Sequence, residues 1–382
     1  EVYNVAVGYQ AGLAITTGGY NTLMGAYTGD ALTTGANNVA VGYAALSTED
    51  EHGYNVAIGN YALQDLNAGG HGYHVAIGYN AGKELTTGIR NAILGSAAGD
   101  ALTTGSYNVA IGYEALSAED THGRNVAIGY QALTTQDAGA DAYNVAVGFY
   151  AGTAVTTGIE SVFIGGLAGD AITTGSANVA IGYSALSTED TMGNNVAIGY
   201  KALQDLNAGE NGNTVAIGAE AGRRLSTGVK NTIVGALAGD HLTTGNYNVA
   251  IGYQALTLED EHGRNVAIGY NTLRDQDAGA DAYNIAIGYE AGKVVSTGIR
   301  NTIIGGLAGD SITTGFENVA IGYEALGANT IGNGNVAIGR DAMNVNVAGD
   351  RNVAVGSEAL KNMTSASTLD TYNTAIGYNA GK

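Results

Sequence analysis

A six-residue motif, Asn-Val-Ala-Ile-Gly-Tyr, recurs 22 times along the 382-residue chain, from Asn4-Val5-Ala6-Val7-Gly8-Tyr9 to Asn373-Thr374-Ala375-Ile376-Gly377-Tyr378. Starts at 4, 21, 38, 55 and 74 give steps of 17, 17, 17 and 19, hence a 70-residue super-repeat whose cycles open at Asn4, His74, Asn144, Thr214 and Asn284. A period this short is that of a solenoid, in which each coil buries its apolar edge only against its neighbours. Positions 2 and 4 of the motif are apolar, and positions 1, 3 and 5 are Asn, Ala and Gly; this alternation is that of a strand. It predicts that positions 2 and 4 face the core and that position 3 faces water. Glycine is kept at position 5 in every copy, which points to a positive φ or to backbone too close for a Cβ.

After the glycine, a second apolar residue near position 12 (Ile15, Leu32, Leu66, Leu102, Ile172) predicts a second short strand, followed by Thr-Thr-Gly or Asp, Asn and Gly turns. The expected fold class is all-β: a parallel β-roll or β-solenoid of 17- and 19-residue coils. Stacked at about 4.8 Å per coil, it would extend for roughly 100 Å. No linker or compositional break interrupts residues 1–382, so one repeat domain is expected. Proline is absent, as suits coils whose N–H groups donate to the next coil.

The formal net charge of −20, with only 15 scattered Lys and Arg, argues against nucleic acid and anionic membrane surfaces as partners. No apolar run is long enough to span a membrane. Without cysteine there are no disulfides or thiolate metal sites.

The coils of a cycle differ. In the second, a bulky residue replaces the position-3 alanine: Leu23, Ile93, Phe163, Ile233 and Ile303. A water-facing row of Ala, Gly and Leu or Ile is then the expected association surface, implying an oligomer about the long axis. The third coil ends in acidic turns at 47–52, 117–122 and 257–262, and the longer fourth coil places acids or amides at alternate positions. Oxygen ligands so spaced make Asp50, Asp65, Asn67, Asp137, Asp141, Asp205, Asn207, Asp275, Asp277 and Asp281 candidate calcium ligands; the alternative is solvated turns with no cofactor. Of 24 tyrosines, 12 follow the motif glycine and nine precede the motif. They read as stacked ladders, a surface strip through Tyr43, Tyr113, Tyr183, Tyr253 and Tyr323, with a structural role ahead of sugar or partner binding. The motif Asn reads as a side-chain amide ladder.

Catalytic constellations do not emerge. Gly78-Tyr79-Asn80-Ala81-Gly82-Lys83 is one residue short of a phosphate loop, and Glu84 stands where Ser or Thr should be. The six histidines lack zinc-type spacing, and Ser, His and Asp lie in turns that copy one another. The chain is expected not to be an enzyme.

Through segments such as Val126-Ala127-Ile128-Gly129, the whole chain resembles the head repeats of YadA-like trimeric autotransporter adhesins, and is similar to repeats of phage tail-fibre and surface-fibre proteins. The resemblance implies a left-handed homotrimeric fibre used for attachment, located extracellularly, at the cell surface or on a virion. Its partners would be copies of itself and a surface, glycan or protein receptor. The coils here are longer than typical adhesin head repeats, and tyrosine replaces the usual smaller residue after the glycine. Both ends break off within a coil, the pattern expected of a slice of a longer fibre. A calcium-dependent extracellular filament or surface-layer protein is the alternative. Ice binding is disfavoured, because acidic turns interrupt the Thr-Thr pairs.

Overall fold

The computed structural model describes residues 2–188, 191–209, 211–259, 261–364 and 370–382. It comprises two compact units, Glu1–Gly193 and Asn194–Lys382. Each is a β-solenoid with eleven three-residue strands, from β1 (Val5–Val7) to β11 (Val179–Ile181) in the first and from β12 (Val196–Ile198) to β22 (Thr374–Ile376) in the second. Within each unit, pairing is parallel and in register: Ala6 lies opposite Leu23, and Ala216 opposite Ile233. The described residues contain no helix, so none is long and apolar enough to cross a membrane.

The motif asparagine ties coil to coil. Asn21 donates its backbone N–H to the Asn4 side-chain oxygen (2.8 Å), Asn38 to that of Asn21 (2.9 Å) and Asn55 to that of Asn38 (3.0 Å). The Asn21 amide nitrogen donates to the Gly35 carbonyl, 14 residues on, at 2.8 Å. One side chain therefore closes its own coil and caps the next, and the expected amide ladder is present. Asn21, Asn38 and Asn55 are buried; replacing one leaves orphaned polar groups, which cost about 1–3 kcal/mol each.

The strand faces are the reverse of the sequence expectation. Position 3 points inward, with Ala40, Ala110 and Ala250 fully buried, while the flanking Val39, Val41, Val109 and Ile111 are partly exposed. The interior is too narrow for a β-branched residue at every strand position. It is filled from the other side by position 9, as in Leu46 and Leu116, and by position 12, as in Leu32 and Leu102. Where position 3 is bulky, position 9 becomes glycine. A Cβ on Gly152 would lie 2.8 Å from the Phe163 ring, and one on Gly169 only 2.4 Å from it. In the first coil of a cycle both positions are small, as at Ala146 and Gly152, and the space is filled from the neighbouring coils by Phe163 and Leu133.

No second strand forms among the described residues. The returning arm alternates through left-handed backbone, as at Ala44 (φ 50°) and Leu46 (φ 53°). It is held by bonds to the next coil such as Gly12 N to Thr28 O (3.0 Å) and Thr16 N to Thr33 O (2.9 Å). Left-handed leucine costs about 1–2 kcal/mol, offset by about 1.5–3 kcal/mol from its burial. The motif glycine satisfies both conditions expected of it. Gly112 has φ +135°, and a Cβ there would lie 2.1 Å from the Gly129 oxygen. The regular steps end with β22: Asn373 follows Asn352 by 21 residues, and its N–H still reaches the Asn352 side-chain oxygen at 3.0 Å.

His74 replaces one rung of the ladder. Its Nδ1 accepts from the Asn91 N–H (3.2 Å) and its Nε2 donates to the Gly88 carbonyl (2.9 Å), so only the neutral ring fits both partners. Burial lowers its pKa from 6.5 to about 4, against the two backbone bonds, which raise it. Because the folded pKa is depressed, this contribution to stability is complete above pH 6.5 and is lost as the pH falls towards 4. His74→Asn is expected to remove up to about 3 kcal/mol of acid destabilisation across that window, measured by urea unfolding at pH 4 and pH 7. A second test concerns the shared core volume. Leu116→Gly is expected to destabilise by about 3 kcal/mol or more. Adding Ala110→Leu should recover part of that loss although Ala110→Leu alone destabilises, a coupling read from the double-mutant cycle.

Candidate functional site

Two features stand apart from the repeating scaffold: the acidic turns of the third coil and the exposed strand face. In the turns, position 12 is apolar in the first two coils of a cycle but carries Glu49, Glu119 and Glu259 in the third, all fully buried. Each accepts a hydrogen bond from the backbone N–H three residues on: His52 (3.0 Å), His122 (3.1 Å) and His262 (3.1 Å). Glu49 also accepts from the Ala68 N–H at 3.3 Å, and Glu119 from the Asn125 amide at 3.4 Å.

Around these carboxylates, ligand atoms of Glu119, Asp120, His122 and Asp137 lie within 4.8 Å of one another, as do those of Glu49, Asp50 and His52. Asp120 and Asp137 occupy the same register in successive coils, so stacking brings two candidate oxygen ligands together. Asp50 and Asp137 thus join clusters, and no other candidate aspartate does among the described residues. Asp141 pairs with Arg124 (3.1 Å), Asp275 with Arg274 (2.7 Å) and Asp281 with Arg264 (2.6 Å). Asp65 is half-buried, while Asn67, Asp205, Asn207 and Asp277 point to solvent. Asp260, within the third acidic turn, lies outside the described residues.

Sequence reasoning took Glu49 and Glu119 for members of solvated turns. The available signal was a carboxylate at a position that is Leu, Ile or Val in the first two coils. Burial raises the Glu119 pKa to about 7; Asp137, Asp120 and Asp141 push the same way, and the His122 N–H opposes them. A cation on this cluster would act on the ionised form, so occupancy would rise with pH.

The strand face is formed by alternate residues of an extended segment. In one coil Tyr73, Val75, Ile77 and Tyr79 are 49, 38, 38 and 54% exposed; in another Tyr283, Ile285, Ile287 and Tyr289 are 48, 40, 37 and 56% exposed. Each such coil presents a row of two β-branched residues between two tyrosines. The exposed apolar surface is therefore the Val/Ile face, and not the expected row of Ala, Gly and Leu or Ile, which fills the interior.

The predicted aromatic strip makes its contacts with adjacent coils and not from cycle to cycle. Tyr43 meets Tyr27 and Tyr61 edge-on, at 5.7 and 5.4 Å, and Tyr113 and Tyr253 stack on Tyr130 and Tyr270. Tyr183 and Tyr323 lie over Gly166 and Gly306, where a Cβ would meet their rings at 3.5 and 3.7 Å. In the column before the motif, arginine alternates with tyrosine: Arg90 lies 5.8 and 5.5 Å from the ring centres of Tyr73 and Tyr107.

Beside Glu324, a concavity of about 210 Å³ is lined by Leu307, Asp310 and Asn344, smaller than the usual small-molecule site of about 300 Å³ or more. No family model and no curated protein sequence matches this chain.

The raised folded pKa of Glu119 means that its contribution is complete below pH 4.5 and is lost as the pH rises to about 7. Glu119→Gln is therefore expected to raise the thermal midpoint at pH 8 more than at pH 4, as followed by circular dichroism.

Proposed function

We propose that the chain is a non-enzymatic fibre segment, associated with further copies of itself along the strand face and serving surface attachment outside the cell or on a virion. The observation that carries this reading is the Tyr–Val–Ile–Tyr row of Tyr73, Val75, Ile77 and Tyr79 and its counterparts. At about 4.8 Å per coil and about 20 Å of extended backbone, the strand face of eleven coils covers roughly 1,000 Å² in all; the apolar strand pairs make about half of it, and the flanking positions carry tyrosine in some coils and Arg90, Arg124 or Glu160 in others. Monomers rarely expose apolar patches beyond about 300–600 Å², and a stable interface needs about 800 Å² per partner. A second copy has the same rise per coil and matches this periodic face row for row, which supports self-association over a globular partner. A trimer is the stoichiometry implied by the resemblance to adhesin head repeats. A glycan or protein receptor would be met by a surface displayed at intervals along the assembly.

A calcium-dependent filament is the second reading, favoured by the convergence of Glu119, Asp120, His122 and Asp137. Light scattering with and without a chelator separates the two. A trimer indifferent to the chelator supports the first, a chelator-sensitive assembly the second, and a monomer under both conditions overturns self-association. Ile77→Lys and Ile217→Lys alter side chains already 38% exposed in the single chain. They are expected to weaken association at least tenfold, about 1.4 kcal/mol, while leaving the circular dichroism spectrum unchanged.

A further inference from the structure

The two aromatic columns bordering the strand face differ in what separates their rings. In the column after the motif glycine, phenol stands on phenol. Tyr113 and Tyr130 are 5.3 Å apart at 15°, Tyr253 and Tyr270 are 5.5 Å apart at 15°, and Tyr270 and Tyr289 are 5.4 Å apart at 5°. All five rings are 40–56% exposed. In the column before the motif Tyr54 and Tyr73 also stack directly, 5.3 Å apart at 17°, but elsewhere in it a guanidinium intervenes. Arg124 lies 5.9 and 5.3 Å from the ring centres of Tyr107 and Tyr143, and Arg264 lies 5.8 and 5.4 Å from those of Tyr247 and Tyr283. Carboxylates are at hand in the stacked column, since Glu114 follows Tyr113 and Glu290 follows Tyr289. Oxidation of a phenol releases its proton, and a neighbouring carboxylate or water can take it.

We propose that the Tyr113–Tyr130 and Tyr253–Tyr270–Tyr289 stacks are oxidative cross-linking sites, coupled as dityrosine within one chain by a peroxidase with hydrogen peroxide. Each phenol gives up one electron and one proton. The two phenoxyl radicals join through ring carbons ortho to oxygen, and the ortho hydrogens move to the oxygens as the rings regain aromaticity. The two electrons and two protons reduce one hydrogen peroxide to two waters. Rotation about χ1 and χ2 brings the stacked rings together. The new bond joins neighbouring coils covalently in a chain that has no cysteine to do so.

The test treats the intact protein with a haem peroxidase and hydrogen peroxide, then maps the links by peptide mass spectrometry. Links are expected at Tyr113–Tyr130, Tyr253–Tyr270 and Tyr270–Tyr289, each two hydrogens lighter than its parent peptides, at a rate independent of protein concentration. None is expected between Tyr107 and Tyr143 or between Tyr247 and Tyr283. Tyr130→Phe keeps a stacked ring without the phenol; it should abolish the first link and leave the Tyr253–Tyr270 yield unchanged. Absence of coupling in the native protein, links chiefly between chains, coupling across the arginines, or equal yield from urea-unfolded chain would each overturn the proposal. It is distinguishable from self-association, since the links lie within one chain and form in a monomer, whereas an assembly that covers the strand face would only slow them.

Discussion

The structure depends on the buried side-chain amide at the start of each motif. A solenoid coil has to close on itself and also hold to the next coil, and Asn21 does both, reaching Gly35 with its nitrogen and Asn38 with its oxygen. Asparagine suits this task because one short planar group carries both a donor and an acceptor. The substitutes are informative. Ser161 retains half of the function, its hydroxyl oxygen accepting from the Asn178 N–H at 3.1 Å. His74 retains both halves, but only while its ring is neutral, so the same backbone geometry becomes sensitive to acid at that one rung.

Once the coils are held in register, volume decides the rest. A bulky residue at position 3 fills the space of its own coil and of the one before, which is why Phe163 is flanked by Gly152 and Gly169 at position 9. In the third and fourth coils the exchange runs the other way, with alanine on the strand and leucine on the returning arm. Filling the interior from the arm displaces the Val and Ile of the strand outward. The exposed Val/Ile face is therefore a consequence of a narrow core, and its periodicity is inherited from the same ladder.

The same stacking acts on the polar turns and the aromatic columns. Residues at equal register are brought to van der Waals or hydrogen-bonding distance whatever their chemistry. It places Asp120 beside Asp137, Arg90 between Tyr73 and Tyr107, and Tyr253 on Tyr270. Like charges so placed add to the effect of burial in raising the Glu119 pKa, unlike groups pair, and aromatic rings stack. Each pattern follows from which residue types the repeat puts one coil apart.

Sequence by itself determined the repeat, the parallel register, the asparagine ladder and the requirement for glycine at position 5, because each recurs at the coil spacing and has one physical reading. It did not determine which face of the strand is inside. Alternation shows that positions 2 and 4 differ from position 3, but not how much volume the other arm of the coil supplies. It also pointed to a second strand where apolar residues recur at position 12, since left-handed backbone at Ala44 and Leu46 leaves no mark in residues that are not glycine. Burial of Glu119 was legible only by comparing position 12 between coils. Its closeness to Asp137 and His122 belongs to tertiary structure, because those distances arise when one coil is laid on the next and the turns are folded back over the core.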